Sequence, residues 1–201
     1  FLKATAYVTA FGWSFCLAIV CLAHPVIRAL YGDQWDQAVD LARLLAVAMA
    51  FAVPAALCQP ALLSSGAVSS IARLTVASAL QSVPLVALGA FHGLPGLGLA
   101  MVAAAAISST MWLVVTARHV GVQPGALLAT FRRSAGVAAF AAVGPGLVLW
   151  RLGPYPQGWL TPLLLGASVG LAGFVLGVRL LRHPLDEELV LAWSRIVSWK
   201  G

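Results

Sequence analysis

Six long apolar runs constrain the fold of this chain more than any other feature of its sequence. A helix of about 20 apolar residues crosses the ~30 Å hydrocarbon core of a bilayer, and each run approaches or exceeds that length. With 61% hydrophobic and only 9% charged residues, the chain carries more apolar surface than a water-soluble domain can bury. The sequence therefore predicts an integral membrane protein with spans at residues 4–27, 41–64, 71–91, 96–117, 135–152 and 159–181.

The backbone of these runs is predicted to be helical. Lipid offers no hydrogen-bonding partners, so a spanning segment must pair its own N–H and C=O groups, as a helix does. A transmembrane β-barrel would alternate polar and apolar residues, and "LLLGASVGLAGFVLG" shows no such alternation. We therefore predict an all-α, polytopic bundle of about six transmembrane helices within residues 1–182. The fifth span is the least regular, because "VGPGLV" (143–148) interrupts it.

Two further stretches are predicted to form amphipathic helices on the membrane surface. In residues 183–201, apolar side chains recur at helical spacing, and three acidic residues occupy the predicted first turn. This pattern is typical of a cytoplasmic tail that lies on the bilayer. Residues 122–134 ("VQPGALLATFRRS") are expected to form a shorter helix of this kind between the fourth and fifth spans.

The basic residues indicate the orientation of the spans. With the first residues placed in the cytoplasm, nine basic residues fall on the cytoplasmic side and three on the other. This asymmetry follows the positive-inside rule, so both ends of the chain are predicted to be cytoplasmic. The nine are Lys3, Arg73, Arg118, Arg132, Arg133, Arg179, Arg182, Arg195 and Lys200, and the three are Arg28, Arg43 and Arg151.

Half of the acidic residues lie in the external loop between the first two spans. The stretch "VIRALYGDQWDQAVDLARLL" (26–45) contains Asp33, Asp36 and Asp40, three of the six acidic residues of the chain. We expect Asp33 to cap a helix that starts directly after it, and Asp40 to pair with Arg43 at i,i+3. The loop is then either a capped, solvated helix start or a charged rim at the outer mouth of a cavity.

Prolines and amide side chains occur together in the second and third spans. Gln59 lies beside Pro60 and follows Pro54, and Gln81 precedes Pro84. A proline inside a helix removes a hydrogen bond and kinks the axis, and transporters place interrupted helices at their substrate sites. The pattern favours a moving or cavity-lining pair of helices, although prolines are also simply more frequent in membrane helices than in soluble ones.

The sixth span is predicted to pack closely against a neighbour. Gly166 with Gly170, and Gly173 with Gly177, form two G-x-x-x-G pairs, and small residues at this spacing allow helix backbones to approach each other.

Enzyme and nucleic-acid functions find no support in the residue pattern. The three cysteines, Cys16, Cys21 and Cys58, have no metal or redox spacing, and the histidines are far apart. No paired carboxylates or Ser/His/Asp arrangement occurs within the spans, so we expect no catalytic residue, no metal and no cofactor. No basic cluster is longer than Arg132-Arg133, so nucleic acid is not an expected partner.

Three motifs in order resemble those of a known transporter family. They are "AHPVIRALYGDQWDQA" (23–38), "LLSSGAVSSIARL" (62–74) and "HGLPGLGLAMVAAAAIS" (92–108). Together they resemble the polysaccharide biosynthesis and export flippases, a branch of the multidrug/oligosaccharidyl-lipid/polysaccharide flippase superfamily.

The resemblance implies a two-lobed flippase of the bacterial cytoplasmic membrane, of which this chain is most of the C-terminal lobe. It implies movement of an undecaprenyl-pyrophosphate-linked oligosaccharide across the bilayer for surface polysaccharide biosynthesis, with the N-terminal lobe of the same protein as partner. In that setting Arg43, Gln59, Arg73 and Gln81 are the candidates to line the substrate cavity. Arg73 is otherwise a topology anchor, Arg43 a partner of Asp40, and the two glutamines bridges between helices.

Three other functions remain open at this stage. A cation-coupled exporter of drugs or metabolites, from the same superfamily, would favour a carboxylate inside the membrane, and these spans contain none. A membrane glycosyltransferase would need a large polar loop or intramembrane acids, and the sequence contains neither. A non-catalytic membrane subunit is compatible with the glycine pairs, which by themselves indicate only packing.

Overall fold

The computed structural model describes residues 1–153, 156, 158–181 and 183–185. The described part of the chain is almost entirely helical and contains no strand, which confirms the predicted all-α bundle. Six helical segments are long and apolar enough to cross a membrane, the second of them running from Asp33 to Ser64. The α-helices are α1 (Leu2–Tyr31), α2 (Val39–Ala52), α3 (Cys58–Ser64), α4 (Val68–Ala90), α5 (Gly93–Val120), α6 (Pro124–Leu152) and α7 (Leu160–Leu180).

The separate surface helix predicted at residues 122–134 is wrong. These residues form the first third of α6, which continues from Pro124 to Leu152 without interruption at "VGPGLV". Pro124 stands in the first turn, where its missing N–H costs no intrahelical hydrogen bond, and Pro145 is tolerated within the same helix. Of the predicted amphipathic tail, residues 186–201 lie outside the described part of the chain.

Successive spans run in alternating directions, so the loops and helix ends form two separate groups at opposite ends of the bundle, and the described acidic residues all belong to one of them. Ser70, near the start of α4, lies 3.3 Å from His119 at the end of α5. Likewise Trp13, in the first half of α1, reaches Ala50 near the end of α2. We name the end that carries Asp33, Asp36 and Asp40 the acidic end. The opposite end, named the basic end, carries Lys3, Arg73, Arg118, Arg133 and Arg179.

The helices pack in two groups, which meet where α1 contacts α2. α1 packs against α6 and α7, whereas α5 packs against α2, α3 and α4, and α1 and α2 join the groups. α5 and α6 are consecutive in the chain but hardly touch along their lengths. A gap between two neighbouring spans therefore lies at the seam between the groups.

Glycines bring α6 and α7 into backbone contact, as the G-x-x-x-G spacing in the sixth span predicted. A Cβ at Gly173 would overlap the carbonyl oxygen of Phe140, and one at Gly170 would lie 3.1 Å from the carbonyl oxygen of Ala141. Gly166 contacts Leu22 of α1 instead. Only glycine leaves room for these approaches, so the G-x-x-x-G spacing serves helix packing.

The second span is interrupted between Ala52 and Cys58, around Pro54. The backbone carbonyl that Pro54 leaves without its helical donor accepts a hydrogen bond from a side chain instead. α2 ends at Ala52, a 3₁₀ turn follows at Val53–Ala55, and α3 begins at Cys58. In a regular helix the carbonyl of Ala50 would accept from residue 54, but Pro54 has no N–H. The indole Nε1 of Trp13 donates to that oxygen at 2.8 Å. α4, in contrast, continues through Pro84, so the break predicted near Gln81 does not interrupt the helix.

The loop at the acidic end differs in part from its prediction. Residues Asp33–Ala38 form a 3₁₀ helix whose N-cap is Gly32, and Asp33 makes no capping hydrogen bond, so its predicted role was wrong. Gly32 has a φ of 86°, which lets the chain turn directly after α1. Arg28 donates two hydrogen bonds to Asp36, at 3.0 and 2.6 Å, and fixes the loop to α1. The predicted pair of Arg43 with Asp40 is confirmed at 2.9 Å.

Candidate functional site

A basic cavity, named the arginine pocket, lies between α4 and α5 at the basic end. Its volume is about 370 Å³, and its polar lining consists of Ser70, Arg73, Arg118 and His119. α4 contributes the first two near its start, and α5 contributes the last two near its end. The short connection between the helices, residues 91–92, makes them antiparallel neighbours, and this topology brings the four side chains together.

Hydrogen bonds fix the orientation of the imidazole in this pocket. His119 Nδ1 lies 2.9 Å from the carbonyl oxygen of Val115, which only accepts, so Nδ1 carries the proton. In the neutral ring Nε2 is then an acceptor for the hydroxyl of Ser70, 3.3 Å away. Arg73 uses its Nε to donate to the carbonyl of Ser69 at 3.2 Å. The terminal nitrogens of its guanidinium, which are the fork that binds a phosphate, remain for other acceptors.

Within the described part of the chain, no carboxylate balances the charge of this pocket. The sequence contains no carboxylate between Asp40 and Asp186, and the described carboxylates all lie at the acidic end. Within the described residues no ion pair involves Arg73 or Arg118. Two guanidinium groups at one cavity, with no described carboxylate beside them, have the charge and the donors that an anion requires.

An apolar crevice lies in the gap between α5 and α6 and shares one lining residue with the arginine pocket. Its volume is about 440 Å³, and apart from Arg118 its lining is apolar, with Leu113, Leu127 and Phe131 among the side chains. Arg118 lines both cavities. A single guanidinium therefore stands where a basic pocket meets an apolar one.

A central cavity of about 380 Å³ follows the crevice towards the middle of the bundle. Leu113 lines both, and the rings of Trp13 and Phe131, with centroids 5.8 Å apart, stand between them. The central cavity also borders Pro54 at the break of the second span, and Ser109 and Thr110 give it polar groups. The interrupted helix thus lines a cavity, as the proline pattern indicated.

An amide-lined cavity of about 280 Å³ lies on the other side of the broken segment. Gln59 lines it together with Ser108, Ser109 and Trp112, and Ser109 is shared with the central cavity. Gln81 donates through Nε2 to Ser108 Oγ at 2.7 Å and to the carbonyl of Ala104 at 3.1 Å. Its Oε1 is buried and has no hydrogen-bond partner within the described residues.

The structure brings together some of the four candidate residues and separates others. Gln81 donates to Ser108, which lines the same cavity as Gln59, and Arg73 lies in the arginine pocket. Arg43 lies at the acidic end, where its guanidinium contacts Asp40. Gln81 therefore does bridge α4 and α5, the alternative that the sequence left open.

Sequence reasoning treated Arg118 as an orientation marker and missed it and His119 as site residues. A signal was present, because two antiparallel spans joined by a short loop place the start of the first beside the end of the second. Applied to the third and fourth spans, this rule places Arg118 beside Arg73.

Within the described residues, no group of three His, Cys, Asp or Glu side chains is arranged to bind a metal ion. Comparisons with protein-family models, with curated proteins and with solved structures found no match to this chain. The assignment that the structure supports by itself is an all-α bundle with the architecture of a multi-pass membrane protein.

Proposed function

We propose that this chain is the C-terminal part of a flippase for undecaprenyl-pyrophosphate-linked oligosaccharides in the bacterial cytoplasmic membrane. The observation that carries the proposal is the double role of Arg118, which lines both the arginine pocket and the apolar crevice. A lipid with an anionic headgroup and a long hydrocarbon chain has the same two-part character. Its pyrophosphate would bind Arg73 and Arg118, and its chain would follow the crevice between α5 and α6.

The chemistry of the headgroup explains why arginines would be used. A pyrophosphate in hydrocarbon without partners is extremely costly, so a pathway across the membrane must replace its water. Guanidinium groups donate forked hydrogen bonds to phosphate oxygens and keep their charge at every physiological pH. His119, held by Val115 and Ser70, adds a polar wall whose orientation is set before the lipid arrives.

The remaining cavities offer a route for the saccharide. The crevice shares Leu113 with the central cavity, which shares Ser109 with the amide-lined cavity. Hydroxyl and amide groups, such as those of Thr110 and Gln59, suit the hydroxyls of a sugar. The break after Ala52 gives this route a segment that changes shape at lower cost than an unbroken helix.

The proposal places the basic end in the cytoplasm, following the distribution of arginine and lysine. The arginine pocket then faces the leaflet in which lipid-linked saccharides are made, and the loop with Asp33, Asp36 and Asp40 faces outward. The N-terminal lobe of the same protein would close the cavities that α5 and α6 leave open. We propose no catalytic residue, because translocation breaks no covalent bond.

The test is a translocation assay with the intact protein in proteoliposomes. A fluorescent undecaprenyl-pyrophosphate saccharide is incorporated, and its exposure on the outer leaflet is followed by dithionite quenching. Losing one charge-assisted hydrogen bond costs about 1.5–3 kcal/mol, so Arg73→Gln with Arg118→Gln should slow translocation by about tenfold or more. Arg179→Gln is the matched control, because Arg179 is exposed at the same end and lines neither cavity.

Two results would contradict the proposal. One is translocation by the wild-type protein no faster than in vesicles without protein. The other is an equal loss in the Arg179→Gln control, which would assign the effect to overall charge and leave the pocket without a role. Ion-driven efflux of a cationic dye without lipid translocation would replace the flippase with the exporter.

A further inference from the structure

We propose that a second basic cavity at the basic end binds the phosphate of an anionic membrane lipid. This cavity, named the Lys3–Arg133 pocket, lies between the starts of α1 and α6 and the segment that follows α7. Its volume is about 270 Å³, and Lys3, Thr130, Arg133 and His183 provide its polar lining. It shares no lining residue with the arginine pocket.

The inner wall of the pocket is fixed by buried hydrogen bonds between three elements. Ser134 Oγ on α6 donates to the carbonyl of Ala6 on α1 at 3.2 Å and lies 2.8 Å from Thr9 Oγ1. His183, only 1% exposed, places its Nε2 3.4 Å from the same Ser134 oxygen. Tyr7 donates to the carbonyl of Pro184 at 3.2 Å. The pocket is therefore shaped before a ligand binds.

The protonation state of His183 follows from its partners. The backbone N–H of Leu185 donates to Nδ1 at 3.3 Å, so Nδ1 is unprotonated and Nε2–H points towards Ser134. Burial lowers the pKa of His183, and the nearby charge of Arg133 lowers it further. The ring is thus a neutral wall, and the charge that attracts an anion comes from Lys3 and Arg133.

No described carboxylate neutralises these two cations. Within the described residues, no ion pair involves Lys3 or Arg133, and the described carboxylates lie at the acidic end. Three acidic residues follow in the sequence at 186–188, but residues 182–201 also contain three basic ones. The charges of residues 182–201 therefore cancel, and the net charge of +6 comes from residues 1–181.

The position of the pocket favours a lipid as the source of the phosphate. α1, α6 and α7 are each long and apolar enough to span the bilayer, and the pocket lies at the ends of these three helices. Phosphates of lipid headgroups are concentrated at this level, and basic pockets between spans are sites where anionic headgroups bind. Lys3 supplies charged donors beside the fork of Arg133, whereas the hydroxyl of Thr130 donates its proton to the carbonyl of Ala126 at 2.9 Å.

The inference needs only that the helices cross a membrane, so it does not depend on the flippase proposal. It is tested on the intact protein by native mass spectrometry, with phosphatidylglycerol as the anionic probe and phosphatidylcholine as the zwitterionic one. We expect Lys3→Gln with Arg133→Gln to weaken phosphatidylglycerol retention by about tenfold or more. Arg132→Gln, next in sequence, exposed and outside the pocket, should change retention less than about twofold.

Three outcomes would overturn the inference. The first is equal loss of retention in Arg132→Gln. The second is displacement of phosphatidylglycerol by inorganic phosphate at an equal, millimolar concentration, which would show that the site binds the free anion. The third is undiminished retention of phosphatidylglycerol when Lys3→Gln and Arg133→Gln are combined, which would place the lipid elsewhere on the protein. Circular dichroism checks that each variant is folded. Lipid retention is measured independently of any transport activity, so it does not depend on the flippase proposal.

Discussion

Replacing Trp13 with phenylalanine removes one N–H group and leaves most of the ring packing in place. That N–H donates to the carbonyl of Ala50 at 2.8 Å, the acceptor which Pro54 leaves without its usual partner. The ring would still face Phe131, whose centroid lies 5.8 Å away. Trp13→Phe therefore isolates the hydrogen bond that closes the break in the second span.

The expected cost follows from the environment of the carbonyl. A buried polar group that loses its partner costs about 1–3 kcal/mol, while hydrogen bonds within membranes average about 0.6 kcal/mol. We expect a value near 1 kcal/mol, because Pro54 excludes the backbone alternative that usually makes membrane hydrogen bonds replaceable. With Pro54→Ala in place, residue 54 regains an N–H that reaches Ala50, and the cost of Trp13→Phe should fall below about 0.5 kcal/mol.

The measurement is a double-mutant cycle on the free energy of unfolding, by titration of the intact protein in mixed micelles with SDS. Trp112→Phe is the control, because Trp112 donates to the hydroxyl of Ser78 at 3.2 Å and not to a carbonyl freed by proline. The reasoning is refuted if Trp13→Phe costs the same with and without Pro54. It is also refuted if Trp112→Phe shows the same dependence on Pro54.

Two further predictions concern helix packing and pH. Gly173→Ala should lower the free energy of unfolding by about 1–3 kcal/mol, because its Cβ would overlap the carbonyl oxygen of Phe140. Gly146→Ala, which meets nothing within 4 Å, should be neutral or stabilising in the same titration. Because burial and Arg133 lower the pKa of His183 from its ordinary value of 6.5, the unfolded chain binds the proton more readily than the folded one. Stability should therefore be fully present above pH 6.5 and fall as the pH drops below it, and melting curves of His183→Asn should show a smaller fall than the wild type.

The spans were predictable because length and hydrophobicity are local properties of the sequence. Each of the six apolar runs coincides with a helical segment long enough to cross a membrane. Four runs lie inside their segments, and the runs at 71–91 and 159–181 pass the ends of α4 and α7 by one residue. The glycine pairs of α7 and the pair of Arg43 with Asp40 were predictable for the same reason, since helical spacing alone brings such residues to one face.

Features that depend on contacts between helices were not predictable from local patterns. Asp33 has a good capping residue type, but Gly32 ends α1 and starts the 3₁₀ turn, so no capping bond forms. The stretch 122–134 is amphipathic enough for a membrane surface, yet from Pro124 it belongs to α6, and its Phe131 ring lies 5.8 Å from the ring of Trp13 on α1. The ion pair of Arg28 with Asp36 depends on how the chain turns between helices. The same is true of the position of Arg73 and Arg118 at one cavity.

Trp13 connects the stability of the bundle to the proposed route for a lipid. It belongs to α1, which packs with α6 and α7, but its N–H bonds to α2 of the other group. Its ring also separates the apolar crevice from the central cavity. A motion that opens α6 away from α5 must change the contacts of Trp13 with Phe131, Ala50 or both. The substitution that weakens the break in the second span should therefore also alter the passage between these cavities, so that translocation and unfolding respond together to Trp13→Phe.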